Sequence, residues 1–271
     1  VILAATPRGM YRSIDKGQSW YPMMYDALAD VKYHPTDNRK AIAGALYSGS
    51  VWTTEDAGIN WRLSVFTEES NSRVEVCYAK ANTDVVYASS NISGGTIFRS
   101  LDGGKNFSTR NQVQHLGRQG IYNNAIWAGH PTNPNLVVTG GIDMFRSFDG
   151  GSTFSRCSQW WTRESIHSDH HHIIEHPHFG NQFSPNSSTV FFCCDGGIYR
   201  ARDVATVGNN AQSGHANGWE AINYNYGVTQ FNALAVTRSG RVIAGAQDNG
   251  TLIYSPQRGT HNWHKPGGIA G

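Results

Sequence analysis

The chain has 271 residues, with 22 Lys and Arg against 20 Asp and Glu, a formal net charge of +2 and only 15% charged residues. That balance gives no footing for a nucleic-acid binder, which needs a basic stripe, or for a polybasic membrane patch. No apolar run of about 18 residues offers a membrane span.

The chain opens on two short apolar runs, "VILAAT" and "GMY", followed by the polar phrase "RSIDKGQSW" ending at Trp20. The next stretch lengthens to "DVKYHPTDN", "AIAGALYSGSVW" and "WTTEDAGINW", ending at Trp61. The pattern returns as "VVYASSNISGGTIF" with "FRSLDGGKNF", then as "AIWAGHPTN", "LVVTGGIDMF" and "FRSFDGGSTF". A fifth copy runs "HIIEHPHFG", "TVFFCCDGGIY" and "YRARD" to Trp219, and a sixth runs "VIAGAQDNGTLIY" to Trp263. Each unit predicts strand, turn, strand, strand, Asp turn, strand, because short apolar segments alternate with Gly, Asn and Pro. The aspartates Asp15, Asp56, Asp102 and Asp149 are spaced 41, 46 and 47 residues apart. Four-stranded units of about 40–50 residues predict an all-β fold, a β-propeller of antiparallel blades.

These four aspartates are expected to be structural. The carboxylate can accept backbone N–H groups within its own turn. The following Gly supplies a positive φ, and the closing aromatic buries a large face. The motif Ser/Thr-x-Asp-x-Gly-x-x-aromatic resembles the Asp-box of bacterial-neuraminidase-repeat propellers. That group includes sialidases, sortilin-type domains, photosystem-assembly propellers and xyloglucanase-type glycoside hydrolases. In the second half, "IHSDHHHIIEHP", "CDGGIYRARD", "GVTQFNALAV" and "GAQDNGT" are similar to motifs of the sortilin-like, glycosyl-hydrolase-like subgroup. A convincing arginine triad or Tyr/Glu nucleophile pair of the sialidase kind is missing. The resemblance implies one propeller over residues 1–271, with six blades visible of seven and further chain needed to close the ring. The first residue is Val, not Met, and the sequence shows no charged-then-apolar leader. This fits either a processed export signal or part of a longer chain.

Candidate site residues fall in two sets. His167, Asp169 and His171 alternate on an expected innermost strand and so should share one face near a central channel. Three roles stay open for them: a hydrogen-bond network, a polar ligand site, or a metal site. Same-face neighbours lie about 6.5–7 Å apart along a strand, so a tightly held metal is not expected. The second set is Asp143, Asp195 and Asp248, each just after the second strand of its unit. The resemblance to xyloglucanase-type enzymes makes Asp195 the candidate general acid or base, although no second carboxylate is identifiable. The alternative is that Asp195 and Asp248 form tight turns with their Gly neighbours. Gln230 joins the ligand-binding candidates. Trp160, Trp161, Tyr224 and Tyr226 could stack on pyranose faces or pack in the core. Cys77, Cys157, Cys193 and Cys194 lack metal-ligand spacing and are expected to be free thiols. No cofactor is expected.

Two functions compete. One is an extracellular or virion-surface module that binds a polysaccharide, another glycan or a protein partner. The other is a β-glucan hydrolase of the xyloglucanase type acting through Asp195.

Overall fold

The computed structural model describes residues 1–64, 72–162, 165–208, 218–223 and 229–256, and the backbone of Trp263–His264. Six antiparallel sheets follow one another along the chain. The first is β1 (Ile2–Thr6), β2 (Gly9–Ser13) and β3 (Tyr21–Met24). The second is β4 (Leu28–Tyr33), β5 (Ala41–Ala45), β6 (Val51–Thr54) and β7 (Arg62–Leu63). The third is β8 (Val74–Tyr78), β9 (Val86–Ser90), β10 (Thr96–Ser100) and β11 (Ser108–Gln112). The fourth is β12 (Ala125–Trp127), β13 (Val137–Gly140), β14 (Met144–Ser147) and β15 (Ser155–Arg156). The fifth is β16 (His170–Glu175), β17 (Val190–Cys194), β18 (Gly197–Ala201) and β19 (Trp219–Ala221). The sixth is β20 (Phe231–Val236), β21 (Val242–Ala246), β22 (Gly250–Tyr254) and β23 (Trp263–His264). Sheets two to six have four strands and sheet one has three, lacking a strand in the place held by β4 and its counterparts. A short 3-10 turn spans Ile92–Gly94, and among the described residues no helix is long and apolar enough to cross a membrane.

Strands β4, β8, β12 and β16 stand side by side in chain order, which stacks the sheets as blades of a β-propeller. Apolar layers fill the gaps. Leu3, Met10 and Ala43 pack between sheets one and two, and Ile42, Val74 and Phe98 between two and three. Tyr87, Ile126 and Val137 pack between three and four, and Met144, Ile173 and Phe192 between four and five. The cysteines are free, and all but Cys193 are buried.

The four Asp turns share one bonding scheme. Asp102 Oδ1 accepts the N–H groups of Lys105 (3.1 Å) and Asn106 (2.9 Å), and Ser100 Oγ accepts that of Gly104 (2.9 Å). Thr54 and Asp56 repeat it, as do Ser147 and Asp149. Ser13 and Asp15 do the same through Gly17 and Ser19. Two successive positive φ angles, 74° at Gly103 and 92° at Gly104, make the turn. Glycine reaches them without strain. The closing aromatics Trp61, Phe107 and Phe154 pack on the layer between their own sheet and the preceding one.

The His-Pro pairs are also turn devices. The imidazole Nδ1 of His34 accepts the Asp37 N–H at 3.0 Å, that of His130 the Asn133 N–H at 3.0 Å, and that of His176 the His178 N–H at 3.0 Å.

Candidate functional site

Asp195 follows the last residue of β17 and opens the turn into β18. Both glycines after it are required by space. A Cβ on Gly196 would lie 2.4 Å from His167 Cβ. Gly197 has φ +106°, and a Cβ there would lie 2.3 Å from Asn223 Oδ1. Asn223 closes the turn by accepting the Ile198 N–H and donating to the Gly196 carbonyl, each at 2.8 Å.

The Asp195 carboxylate is held from two sides. The Tyr122 hydroxyl donates to its two oxygens at 3.0 and 2.9 Å, and His171 Nε2 lies 2.8 Å from Oδ1. The Tyr122 and His171 rings meet edge to face with centroids 5.0 Å apart. Desolvation of the phenol, its bond to Asp195, and the charges of Asp195, Asp169 and Asp248 push Tyr122 up to about 12. It therefore remains a hydrogen-bond donor across the physiological range.

A cavity of about 370 Å³ opens beside this group, lined by Tyr122, Asp195, Asn223, Gln230, Gln247 and Asp248 among others. Two sheets build it. Asn249 Nδ2 donates to the Asp195 carbonyl at 3.1 Å, and His167 Nε2 lies 2.6 Å from the Asp248 carbonyl. Gln247 donates to Asp248 Oδ2 at 2.8 Å, and its backbone N–H to the Gln230 carbonyl at 2.9 Å. Asp248 itself sits at φ +54°, a conformation L-residues adopt at a cost. Asp195, Asp248 and Gln230 are thus brought together.

The histidine run departs from simple alternation. The strand begins only at His170, and Asp169 has φ +64°. The pairing with β17 slips between His170 and His172, a bulge with one extra residue. The three candidates therefore do different things. His167 reaches the sixth sheet, Asp169 accepts from Asn123 Nδ2, and His171 turns onto Asp195. His170 goes inward, fully buried, with neither ring nitrogen partnered. Burial, together with His171 and His167, holds it down at about 3.

Asp143 occupies the same turn as Asp195 one sheet earlier but does not line the cavity. It accepts from Ser158 Oγ at 3.0 Å and from the Trp160 N–H at 2.9 Å, and burial pushes its carboxyl upward. It thereby pins the connection from which Trp160 and Trp161 project, 55% and 58% exposed, with ring centroids 5.7 Å apart at 89°. Tyr224 and Tyr226 lie outside the described residues. Among the described residues no three His, Cys, Asp or Glu side chains converge as a metal set.

Tyr122, Asn223, Gln247 and Asn249 were not among the candidates. Gln247 and Asn249 belong to the phrase "AQDNGT", where the amides flanking the Asp were a usable signal. Tyr122 had none, because it arrives on the connection between β11 and β12. His115 Nε2 anchors that connection, 3.0 Å from Ser89 Oγ and 2.9 Å from Thr139 Oγ1.

No protein-family model matches the chain, and no curated protein matches it. Solved structures do. YCF48 bound to a D1 peptide aligns with TM-score 0.50 and 13% identity, over 89% of this chain and 68% of that one. An ancestral GH74 enzyme aligns with TM-score 0.57 and 16% identity, over 99% of this chain and 36% of that one. The chain thus spans about a third of the GH74 enzyme's length. At such identities the likeness is one of fold, and both neighbours place the chain among β-propellers.

Proposed function

We propose that this propeller is a glycan-binding module of the Asp-box, sortilin-like and xyloglucanase-like group, working at an extracellular or virion surface. The carrying observation is the cavity at Asp195. Its polar lining is a carboxylate anchored by Tyr122 and His171, a second carboxylate, and the amides of Asn223, Gln230, Gln247 and Asn249. Carboxylates and amides supply the acceptors and donors that sugar hydroxyls need, and about 370 Å³ is within the size of small-ligand sites. The exposed Trp160–Trp161 pair adds faces on which pyranose rings can stack. Calorimetry with xyloglucan heptasaccharide tests the reading. Saturable binding lost in Asp195→Asn is expected, and an absence of heat with any β-glucan oligosaccharide overturns it. Binding of a protein ligand in that case would favour the protein-partner alternative.

Hydrolysis is the second reading, with Asp195 as acid or base, and the presence of a second carboxylate, Asp248, in the same cavity lining favours it. Against a general-acid role stands the bonding of Asp195, whose two oxygens already accept from Tyr122. Release of reducing sugar that disappears in Asp195→Asn would establish hydrolysis. None is expected.

A further inference from the structure

Tyr122 lies in no strand, yet its hydroxyl is placed on both oxygens of Asp195. The placement comes from behind. Arg73 Nη1 donates to the carbonyls of Ile121 and Tyr122, both at 2.9 Å. The same guanidinium turns Nε and Nη2 onto Glu75 Oε1, at 2.9 and 2.8 Å. Its own backbone is locked to Asn91, whose Oδ1 accepts the Arg73 N–H at 2.8 Å. Glu75 is buried next to Asp30 of β4, and the Asp30 carboxylate takes Lys32 Nζ and the Val76 N–H. A ladder of alternating charge, partly exposed Lys32, buried Asp30 and Glu75, and partly exposed Arg73, therefore ends on the two carbonyls that carry Tyr122.

We propose that Arg73 is the positioning residue of the cavity, holding Tyr122 on Asp195 through the two loop carbonyls, and that protonation of Glu75 loosens this hold. The consequence for ligand affinity rests on the glycan-binding reading; the control of Tyr122 does not. An ionised Glu75 gives Arg73 a partner of opposite charge, and arginine–carboxylate pairs are among the strong hydrogen bonds of proteins. A protonated Glu75 leaves the guanidinium with a weaker acceptor and a freer path.

The groups facing Glu75 set where the change occurs. Burial and the Asp30 charge push its carboxyl up to about 8, against the pull of Arg73 and Lys32. Cys77, next on the same face of β8, is pushed far upward by burial and stays a neutral thiol. His172 on β16 feels Lys32, Asp30 and Glu175 and is pushed downward by burial, so it is neutral over the same range. The ionised fraction of Glu75 rises with pH, and the hold on Tyr122 tightens with it.

The test is solution NMR of the full chain with ring-labelled tyrosine, the Tyr122 signals being assigned with Tyr122→Phe. From about pH 6 to about pH 10, well below the titration of Tyr122 itself, the wild-type signals should move with a midpoint near 8. Glu75→Gln should remove that midpoint. Arg73→Gln should shift the Tyr122 signals and flatten the titration, and Arg73→Lys, unable to span both partners, should recover only part. Should Arg73→Gln fail to fold, the paired variant Arg73→Gln/Glu75→Gln, which leaves no buried lone charge, takes its place. A midpoint that persists in Glu75→Gln, or Tyr122 signals untouched by loss of Arg73, overturns the proposal. In a parallel arm, affinity for xyloglucan heptasaccharide should rise severalfold over the same range, and Glu75→Gln should abolish the rise. No binding in a protein whose Tyr122 signals still show the Glu75 midpoint would sink the glycan reading alone. Binding whose pH dependence survives Glu75→Gln would sink this one.

Discussion

Arg12 Nε donates to the carbonyl of Ala57 at 2.8 Å, so a side chain of the first sheet closes on the Asp turn of the second. The relationship recurs. Ser64 Oγ donates to the Gly104 carbonyl at 2.6 Å, and Arg110 Nε to the Gly150 carbonyl at 3.0 Å. Arg146 Nη1 reaches the Val204 and Val207 carbonyls at 2.9 and 2.8 Å, where the fifth unit has lost its regular Asp turn. The turns are therefore joints between blades as well as hairpin closures.

Breaking one joint should weaken the stack without touching the cavity. Arg110→Met is expected to cost about 1 kcal/mol, less than a buried hydrogen bond to a charged group contributes, because the site is partly exposed. Urea unfolding should show the loss as a lower midpoint, with the affinity of the cavity for its ligand unchanged.

Asp102→Ala removes the acceptor of two backbone N–H groups and of Asn106 Nδ2. A loss of about 1–3 kcal/mol is expected from the unsatisfied turn. The acid limb carries the same signature. Hydrogen bonds from Ser19 and Ser13 hold Asp15 down at about 2, and those from Thr153, Ser147 and Ser152 do the same for Asp149. A lowered carboxyl stabilises above its unfolded pKa, and the contribution is lost as pH falls through the folded one. Circular dichroism should therefore report a loss of stability between about pH 4 and about pH 2, smaller in Asp149→Asn.

His170 predicts a second, separate acid effect. Its folded pKa of about 3 lies below the unfolded value of 6.5. The unfolded chain takes up a proton first, so stability is full above about pH 6.5 and declines below it. At pH 5 the loss is about 2 kcal/mol, at about 1.4 kcal/mol per pH unit. His170→Phe should erase this decline. Glu75, whose pKa is raised, works in the opposite sense between its unfolded value and about 8, so the variant is compared with wild type at each pH. Equal pH dependence in both proteins would contradict the assignment.

Tyr122→Phe deletes the donor to both Asp195 oxygens and leaves a ring that is 54% exposed. Stability should hardly change. Affinity for xyloglucan heptasaccharide should fall about tenfold or more, the cost of a bond to a charged group of about 1.5–3 kcal/mol. Calorimetry of the two proteins side by side is the measurement.

The blade order, the Asp turns and the antiparallel sheets were legible in the chain because they depend on neighbours within about ten residues. Periodic apolar runs, a carboxylate that caps its own turn, and glycines at positive φ are local instructions, and local physics executes them. The turn positions of Asp143, Asp195 and Asp248 were legible for the same reason. What these residues meet was not. Asp143 binds its own sheet's outer connection, whereas Asp195 meets Tyr122 from the connection leading into the fourth sheet and His171 from the strand paired with its own. Those contacts depend on the stacking of whole blades. The bulge at His171 was not legible either. It turns His171 onto Asp195 while His170 is buried, where alternation alone puts His167, Asp169 and His171 on one face. Local residue patterns settle which units form and where they turn. Only the packing of one blade on the next decided which side chains share a cavity, because distant residues meet there at distances no local pattern encodes.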